Sequence, residues 1–124
     1  MVDDHWTEVE ARLAARRAST ITQIDELTRS LDDIIDGATA IATDDEHDPE
    51  GQTIAFERAQ LASLLNQARA RLADLEAAER RLADGSYGRC ERCGRPIPPE
   101  RLDVRPMATT CIACASILKI NSGR

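Results

Sequence analysis

The sequence predicts a mostly α protein, a long antiparallel coiled-coil hairpin with a small four-cysteine zinc-finger module and a short C-terminal helix. Three observations carry that expectation. Two long stretches place apolar residues at alternating steps of four and three, the period of a seam between helices. All four cysteines of the chain fall into two C-x-x-C pairs near its C-terminal end. Aromatic side chains are almost absent, Trp6, Phe56 and Tyr87 being the whole set, which leaves little to fill a wide globular core.

The first arm is expected from about Thr7 to Ala42. Its seam runs Leu13, Arg17, Thr20, Ile24, Leu27, Leu31, Ile34, Ala38, Ile41, with Arg17 and Thr20 as weak points. The second arm is expected from about Asp48 or Thr53 to Ala83. Its seam runs Ile54, Arg58, Leu61, Leu65, Ala68, Leu72, Leu75, Glu79, Leu82, with Arg58 and Glu79 as exceptions. Leu13 falls opposite Leu82, and Ile41 opposite Ile54, about one midpoint between His47 and Asp48. Arms of equal length with a common midpoint close as an antiparallel hairpin. About twenty-nine residues per arm, at a rise of 1.5 Å each, give a rod of roughly 43 Å. Two separate helices, or a parallel dimer of one long helix, are the competing arrangements. Pro49 and Gly51 argue against a single continuous helix. The division that follows is residues 1–85 for the hairpin, with an acidic tip near 43–52, and residues 86–124 for the zinc module and last helix.

The tip gathers Asp44, Asp45, Glu46, Asp48 and Glu50, five acids within seven residues. From Asp36 to Glu57 there are seven acids and no lysine or arginine. Asp48-Pro49 looks like an N-cap followed by proline at the first helical position, and acids in a first turn suit the helix dipole. Capping accounts for Asp48 and Glu50 and leaves Asp44, Asp45 and Glu46 unexplained. A solvated loop and a partner-binding tip both remain open on these grounds. The stretch lacks the ligand spacing and central glycine of a twelve-residue calcium loop.

Gly85, in Asp84-Gly85-Ser86-Tyr87-Gly88, is placed to end the second helix as its C′ residue. The cysteines follow as Cys90-x-x-Cys93, a spacer of seventeen residues, then Cys111-x-x-Cys114. This is the spacing of a structural zinc site with four thiolate ligands. Two disulfides would need an oxidising compartment, and a redox C-x-x-C would need a βαβ surround. Gly94 permits a tight turn after the first knuckle. Pro96, Pro98, Pro99 and Pro106 are expected to keep the middle of the module from being helical. Between Ser86 and Pro106, five arginines stand against three acids. Their simplest role is to balance the charge of a zinc tetrathiolate; a phosphate or partner contact by some of them is the sharper alternative. A last helix is expected from Cys111 to about Ile120, with Ile112, Ala115, Ile117 and Leu118 available to pack on the base of the hairpin.

Composition narrows the function. A net charge of −6 argues against non-specific coating of nucleic acid, and no direct sequence-specific DNA binding is expected. There is no run of eighteen apolar residues, so no membrane partner is expected. The acidic N-terminus does not read as a signal peptide, and reduced cysteines point to the cytoplasm. A zinc shell of four cysteines is closed to water, and no nucleophile-and-base set or phosphate loop accompanies it, so no enzyme is expected. His5 is expected in an N-terminal tail and His47 at the tip, neither needed as a ligand.

The run Tyr87-Gly88-x-Cys90-x-x-Cys93-Gly94, then Ile97, Arg101-Leu102, Pro106 and Cys111-x-x-Cys114, resembles the DksA/TraR family of bacterial zinc-finger transcription factors. The hairpin ahead of it and the short helix after it match the family layout. The resemblance implies a protein that binds RNA polymerase rather than promoter DNA, inserting the hairpin through the secondary channel. The acidic tip, here Asp44, Asp45, Glu46, Asp48 and Glu50, would then approach the catalytic centre and alter initiation, often together with guanosine tetraphosphate. The family's tip pattern is Asp-x-x-Asp-x-Ala. Asp45-x-x-Asp48 matches its acids, but Glu50 stands where alanine is expected; starting at Asp48 instead gives Gly51 and Thr53. That departure bears on the regulatory effect and on nucleotide synergy. A nucleotide site using N-terminal residues is not carried over, because the N-terminal segment is shorter than in long members. A zinc-containing stress or interaction protein using the same hairpin on another partner is the alternative class.

Overall fold

A computed structural model of the chain describes the backbone of residues 4–41 and 49–122 and the side chains of 5–37 and 51–119. Four helices follow in order: α1 (Asp4–Ile41), α2 (Pro49–Asp84), α3 (Pro99–Val104) and α4 (Ile112–Ser122). Among the described residues there is no strand, only an isolated antiparallel bridge between Arg89 and Pro96. The fold is the long antiparallel coiled-coil hairpin with a small four-cysteine module and a short last helix.

Of the seam positions, the side chains of Ala38 and Ile41 lie outside the described residues. Every described seam position except Arg17 and Arg58 is buried or half-buried. Two cross-helix contacts fix the pairing: Arg71 donates to Gln23 Oε1 at 2.8 Å, and Arg17 lies 3.7 Å from Glu79. These pairs centre on positions 47 and 48, the midpoint that the two seams imply. Arg17 and Glu79, each an exception on its own arm, answer one another across the seam. Of the two expected starts for the second arm, the structure takes the earlier. Pro49 opens α2 because a first-turn N–H has no helical partner to lose. The acids Asp44, Asp45, Glu46 and Asp48, with His47, lie outside the described residues; Glu50 lies in the first turn of α2.

By packing, the chain forms two compact units, Met1–Arg17 with Asp74–Arg124, and Ala18–Ala73. The second unit is two helices and little else. Thr20, Leu65 and Ala68 are its buried side chains among the described residues, with Ile24, Leu27, Leu31, Ile34, Ile54, Leu61 and Leu72 half-buried around them. The first unit has a mixed core: Val9, Leu13, Leu75, Ala78, Tyr87, Cys90, Ile97, Leu102 and Cys114. Val9 and Ala78 lie off the seam and are buried because the cysteine module covers that flank of the helices.

Three sequence expectations need correction. The proline-rich middle of the module does contain a helix, α3. Pro98 stands at its N-cap and Pro99 in its first turn, positions where a missing N–H costs nothing, and the Pro98 carbonyl accepts from Arg101 and Leu102 at 3.0 and 3.2 Å. In α4, Ile112, Ile117 and Leu118 stay exposed. The face turned inward is set by Cys114, which joins the core, not by the isoleucines. His5 is not in a tail, because α1 already begins at Asp4; its ring lies 5.4 Å from that of Trp6.

Candidate metal centre

The turn that ends α2 sets the module in place. Gly85 takes φ +86°, and the N–H groups of Ser86 and Tyr87 close on the Arg81 carbonyl at 2.9 and 3.1 Å, a Schellman-type stop. Asp84 Oδ1 accepts from the Ser86 hydroxyl at 2.6 Å and its N–H at 2.9 Å, which holds that carboxyl below its usual range. Arg81 donates across the turn to the carbonyls of Arg89 at 2.8 Å and Ser86 at 3.4 Å. Gly88 is required by its backbone angle and not by space, since the contacts a Cβ would make are ordinary ones. Its φ is +83°, and a Cβ there would come within 3.4 Å of Trp6 and 3.6 Å of Leu102.

The first knuckle is a tight loop. Cys90 donates its N–H to Arg95 at 2.8 Å, and its carbonyl accepts from Gly94 at 2.9 Å, with Gly94 at φ +77°. Ile97 N–H bonds the Gly88 carbonyl at 2.7 Å and closes the loop behind it. The second knuckle is a helix start: Cys111 precedes α4, and its carbonyl accepts the N–H of Ala115 at 2.9 Å. Two bonds tie the approach to the second knuckle to the first knuckle and to α3. Glu91 N–H reaches the Thr109 carbonyl at 2.9 Å, and Arg101 Nε reaches the Thr110 carbonyl at 2.9 Å. Tyr87 donates its hydroxyl to the Pro106 carbonyl at 2.8 Å, tying the entry of the module to its middle. Burial raises the pKa of that phenol.

The result brings Cys90, Cys93, Cys111 and Cys114 together, all four sulfurs within 4.8 Å of one another. No disulfide joins them. The Sγ atoms of Cys93 and Cys111 are 3.8 Å apart. A tetrahedron with metal–sulfur bonds of about 2.3 Å has edges of about 3.8 Å, so the set fits one zinc ion. Cys90 and Cys114 are buried, Cys111 half-buried and Cys93 exposed, so the site is anchored in the core and reached from one side. The thiols differ in how readily they ionise. Backbone N–H groups of the Cys93 turn hold Cys90 down to about 6, and the Cys114 N–H lowers Cys111. The Cys111 sulfur, followed by burial, pushes Cys114 up to about 12. Four sulfurs this close cannot all ionise against one another; a divalent cation removes that conflict, and four thiolates satisfy the ion.

Arg81, Arg101 and Tyr87 hold the module through backbone carbonyls. The sequence alone does not signal this, because an arginine reads there as charge and a tyrosine as bulk. Arg101 meets the carbonyl just before Cys111, so its positive charge lies beside the second knuckle. Arg12 of α1 adds a surface contact, its guanidinium reaching the Asp103 carbonyl at 3.0 Å and carboxylate at 3.4 Å.

Residues 85–118 match the prokaryotic dksA/traR C4-type zinc finger family. A protein of Aquifex aeolicus is 38% identical over 63 residues, covering 51% of this chain and 43% of that protein. The "RNA polymerase-binding transcription factor DksA" of Caulobacter vibrioides is 46% identical over 41 residues, covering 33% of this chain and 29% of that protein. In each case the match spans less than half the length of the relative. Among solved structures, transcription factor DksA2 from Pseudomonas aeruginosa shares the fold at a TM-score of 0.81, with 23% identity over 98% of this chain and 88% of that one.

Proposed function

From a chain that carries a DksA/TraR-type C4 zinc finger on a two-helix hairpin, we propose a non-enzymatic transcription regulator of the cytoplasm that binds RNA polymerase. Cys90, Cys93, Cys111 and Cys114 hold one structural zinc, whose chemistry is to cross-link the module and expose no open position. The finger matched over 85–118 and seated on the base of the hairpin is the observation that carries this reading. In it, residues 1–85 act as the reaching element and 86–124 as the mount. The hairpin enters the secondary channel and brings Asp44, Asp45, Glu46, Asp48 and Glu50 near the active site. A channel that admits two helices excludes most other shapes, and acids act strongly on a magnesium site at close range, where screening is weak.

A photo-crosslinker placed at Asp48 in cells tests it. Capture of secondary-channel residues of the polymerase is expected; capture of another protein alone overturns it. The second reading, a different protein partner for the same hairpin, is favoured by Glu50 at the alanine position and wins if that outcome appears. Guanosine tetraphosphate is carried over as a co-regulator only through the family resemblance. Initiation assays with and without the nucleotide decide it, and identical effects of this protein in both remove the nucleotide from the reading.

A further inference from the structure

Beside the metal centre, where α2 ends, lies a recess of about 330 Å³ lined by Trp6, Glu10, Leu82, Gly85 and Tyr87. Nothing in the zinc chemistry uses it. Its walls are two aromatic rings, an aliphatic side chain and one carboxylate. Trp6 and Tyr87 meet edge to face at 5.6 Å, so each ring is held in place by the other. Trp6 remains 36% exposed. Glu10 stands one helical turn from Trp6 and therefore on the same face of α1. It forms no hydrogen bond or ion pair with any described residue. Gly85, which also lines the recess, follows the C-terminal end of α2, where the helix dipole favours positive charge. Arg81, the basic residue of that last turn, is engaged with the carbonyls of Arg89 and Ser86 and does not line the recess. Asp84, at the same helix end, is likewise engaged, with Ser86, and does not line the recess, which leaves Glu10 as its carboxylate.

We propose that this recess receives an arginine side chain from a protein partner. The exposed indole of Trp6, an uncommitted carboxylate and a helix C-terminus all favour a cation, and they favour a flat one over a compact one; Tyr87 is buried and backs the indole. A guanidinium stacks on an indole face and pairs in bidentate fashion with a carboxylate, which an ammonium does not. The volume is at the lower end for a ligand pocket, which suits one side chain and not a folded surface. The inference does not rest on which protein the hairpin meets.

Trp6 is the only tryptophan in the chain, so in the folded, zinc-loaded protein all tryptophan emission comes from the wall of this recess. The zinc-loaded full chain is titrated with the blocked tripeptide Gly-Arg-Gly, with its citrulline counterpart, and with spermidine. Citrulline keeps the shape of arginine without its charge. A saturable change in Trp6 emission with the arginine peptide is expected, weaker by roughly tenfold for citrulline and also for Glu10→Gln with the arginine peptide. Glu10 is exposed, so Glu10→Gln is expected to melt as the parent does. The indole N–H resonance of Trp6 gives a second readout, shifting with arginine and not with citrulline. Linear quenching alike for both peptides overturns the proposal, as does an unchanged affinity in Glu10→Gln. Spermidine binding more tightly than the arginine peptide overturns it in favour of a free polyamine.

Discussion

The two units of this protein share two helices and little else. Around the metal centre, Leu13 and Leu75 are fully buried, and their neighbours include a phenol, an isoleucine from the knuckle loop and two sulfurs. Each connection there is fixed more than once, by a positive-φ glycine, a carbonyl clamp and a metal ligand. Among the described residues of Ala18–Ala73, a helix meets one other helix, and most seam residues remain half-exposed. A leucine touching one partner helix buries part of its surface, and hydrophobic stabilisation scales with that part. The comparison teaches that the same heptad pattern supports a well-determined base and a thinly held arm, according to what else is packed against it.

Metal removal should break the comparison most severely. Structural zinc contributes about 10–16 kcal/mol of apparent folding free energy in zinc-finger peptides. Two core residues of the base, Cys90 and Cys114, belong to the metal cluster, so chelation should abolish the cooperative transition reported by Trp6. Much of the helical circular dichroism should survive, because residues 18–73 contain no ligand. A Trp6 transition unchanged after complete chelation would show that the base folds without its metal.

Next in size is a matched pair of seam truncations. Leu13→Ala removes a side chain with no exposure, and a loss of about 2–5 kcal/mol is expected. Leu27→Ala acts on a half-buried position whose site can relax toward solvent, and about 1–2 kcal/mol is expected. Urea unfolding of both variants measures the contrast. Equal losses would mean that the arm is packed as tightly as the base.

How far the sequence carries also differs between the units. Over Ala18–Ala73 one period explains most of the described packing: the seam and the pairing midpoint follow from steps of four and three, and Arg58 is exposed because a charged side chain at a seam position turns to solvent. In the base, the cysteine spacing brings the four sulfurs together, and Gly85 ends its helix where expected. What is not legible there depends on three-dimensional neighbours. Val9 and Ala78 are buried only because a module distant in sequence lies over them. Arg101 and Arg81 bind carbonyls, and no residue pattern distinguishes those from arginines in solvent. Helix α3 hides among prolines because a proline forbids helix in the interior and permits it in the first turn. Trp6 gains its meaning from Gly88 and Tyr87, some eighty residues away.

Glycine to alanine should change sign between the units. Gly88→Ala forces a left-handed φ on a residue with a side chain, so about 1–3 kcal/mol of stability should be lost although the Cβ itself meets only ordinary contacts. Gly37→Ala meets no atom within 4 Å and removes a flexible residue from the interior of α1, so about 0.5–1 kcal/mol should be gained. Thermal melts of the two variants moving in the same direction would contradict the contrast.

The smallest effect tests the polar contacts that cross the seam. Arg17 and Glu79 lie 3.7 Å apart and are only partly shielded, so their coupling in a double-mutant cycle with alanine should stay below about 1 kcal/mol. It should fade further in 1 M salt, where the screening length is about 3 Å. Arg71 and Gln23 form the corresponding contact in the other unit, at 2.8 Å but with one neutral partner. Without opposite charges there is little for salt to screen, so the Arg71–Gln23 coupling should be of similar size at low salt and persist as salt is added. The difference in salt response, measured on the full chain, separates an ion pair from a geometric hydrogen bond at equivalent places on one hairpin. If both couplings fell together, the Arg71–Gln23 contact would depend on a charge other than the one it meets, and the two seams would be alike in their polar chemistry as well as in their period.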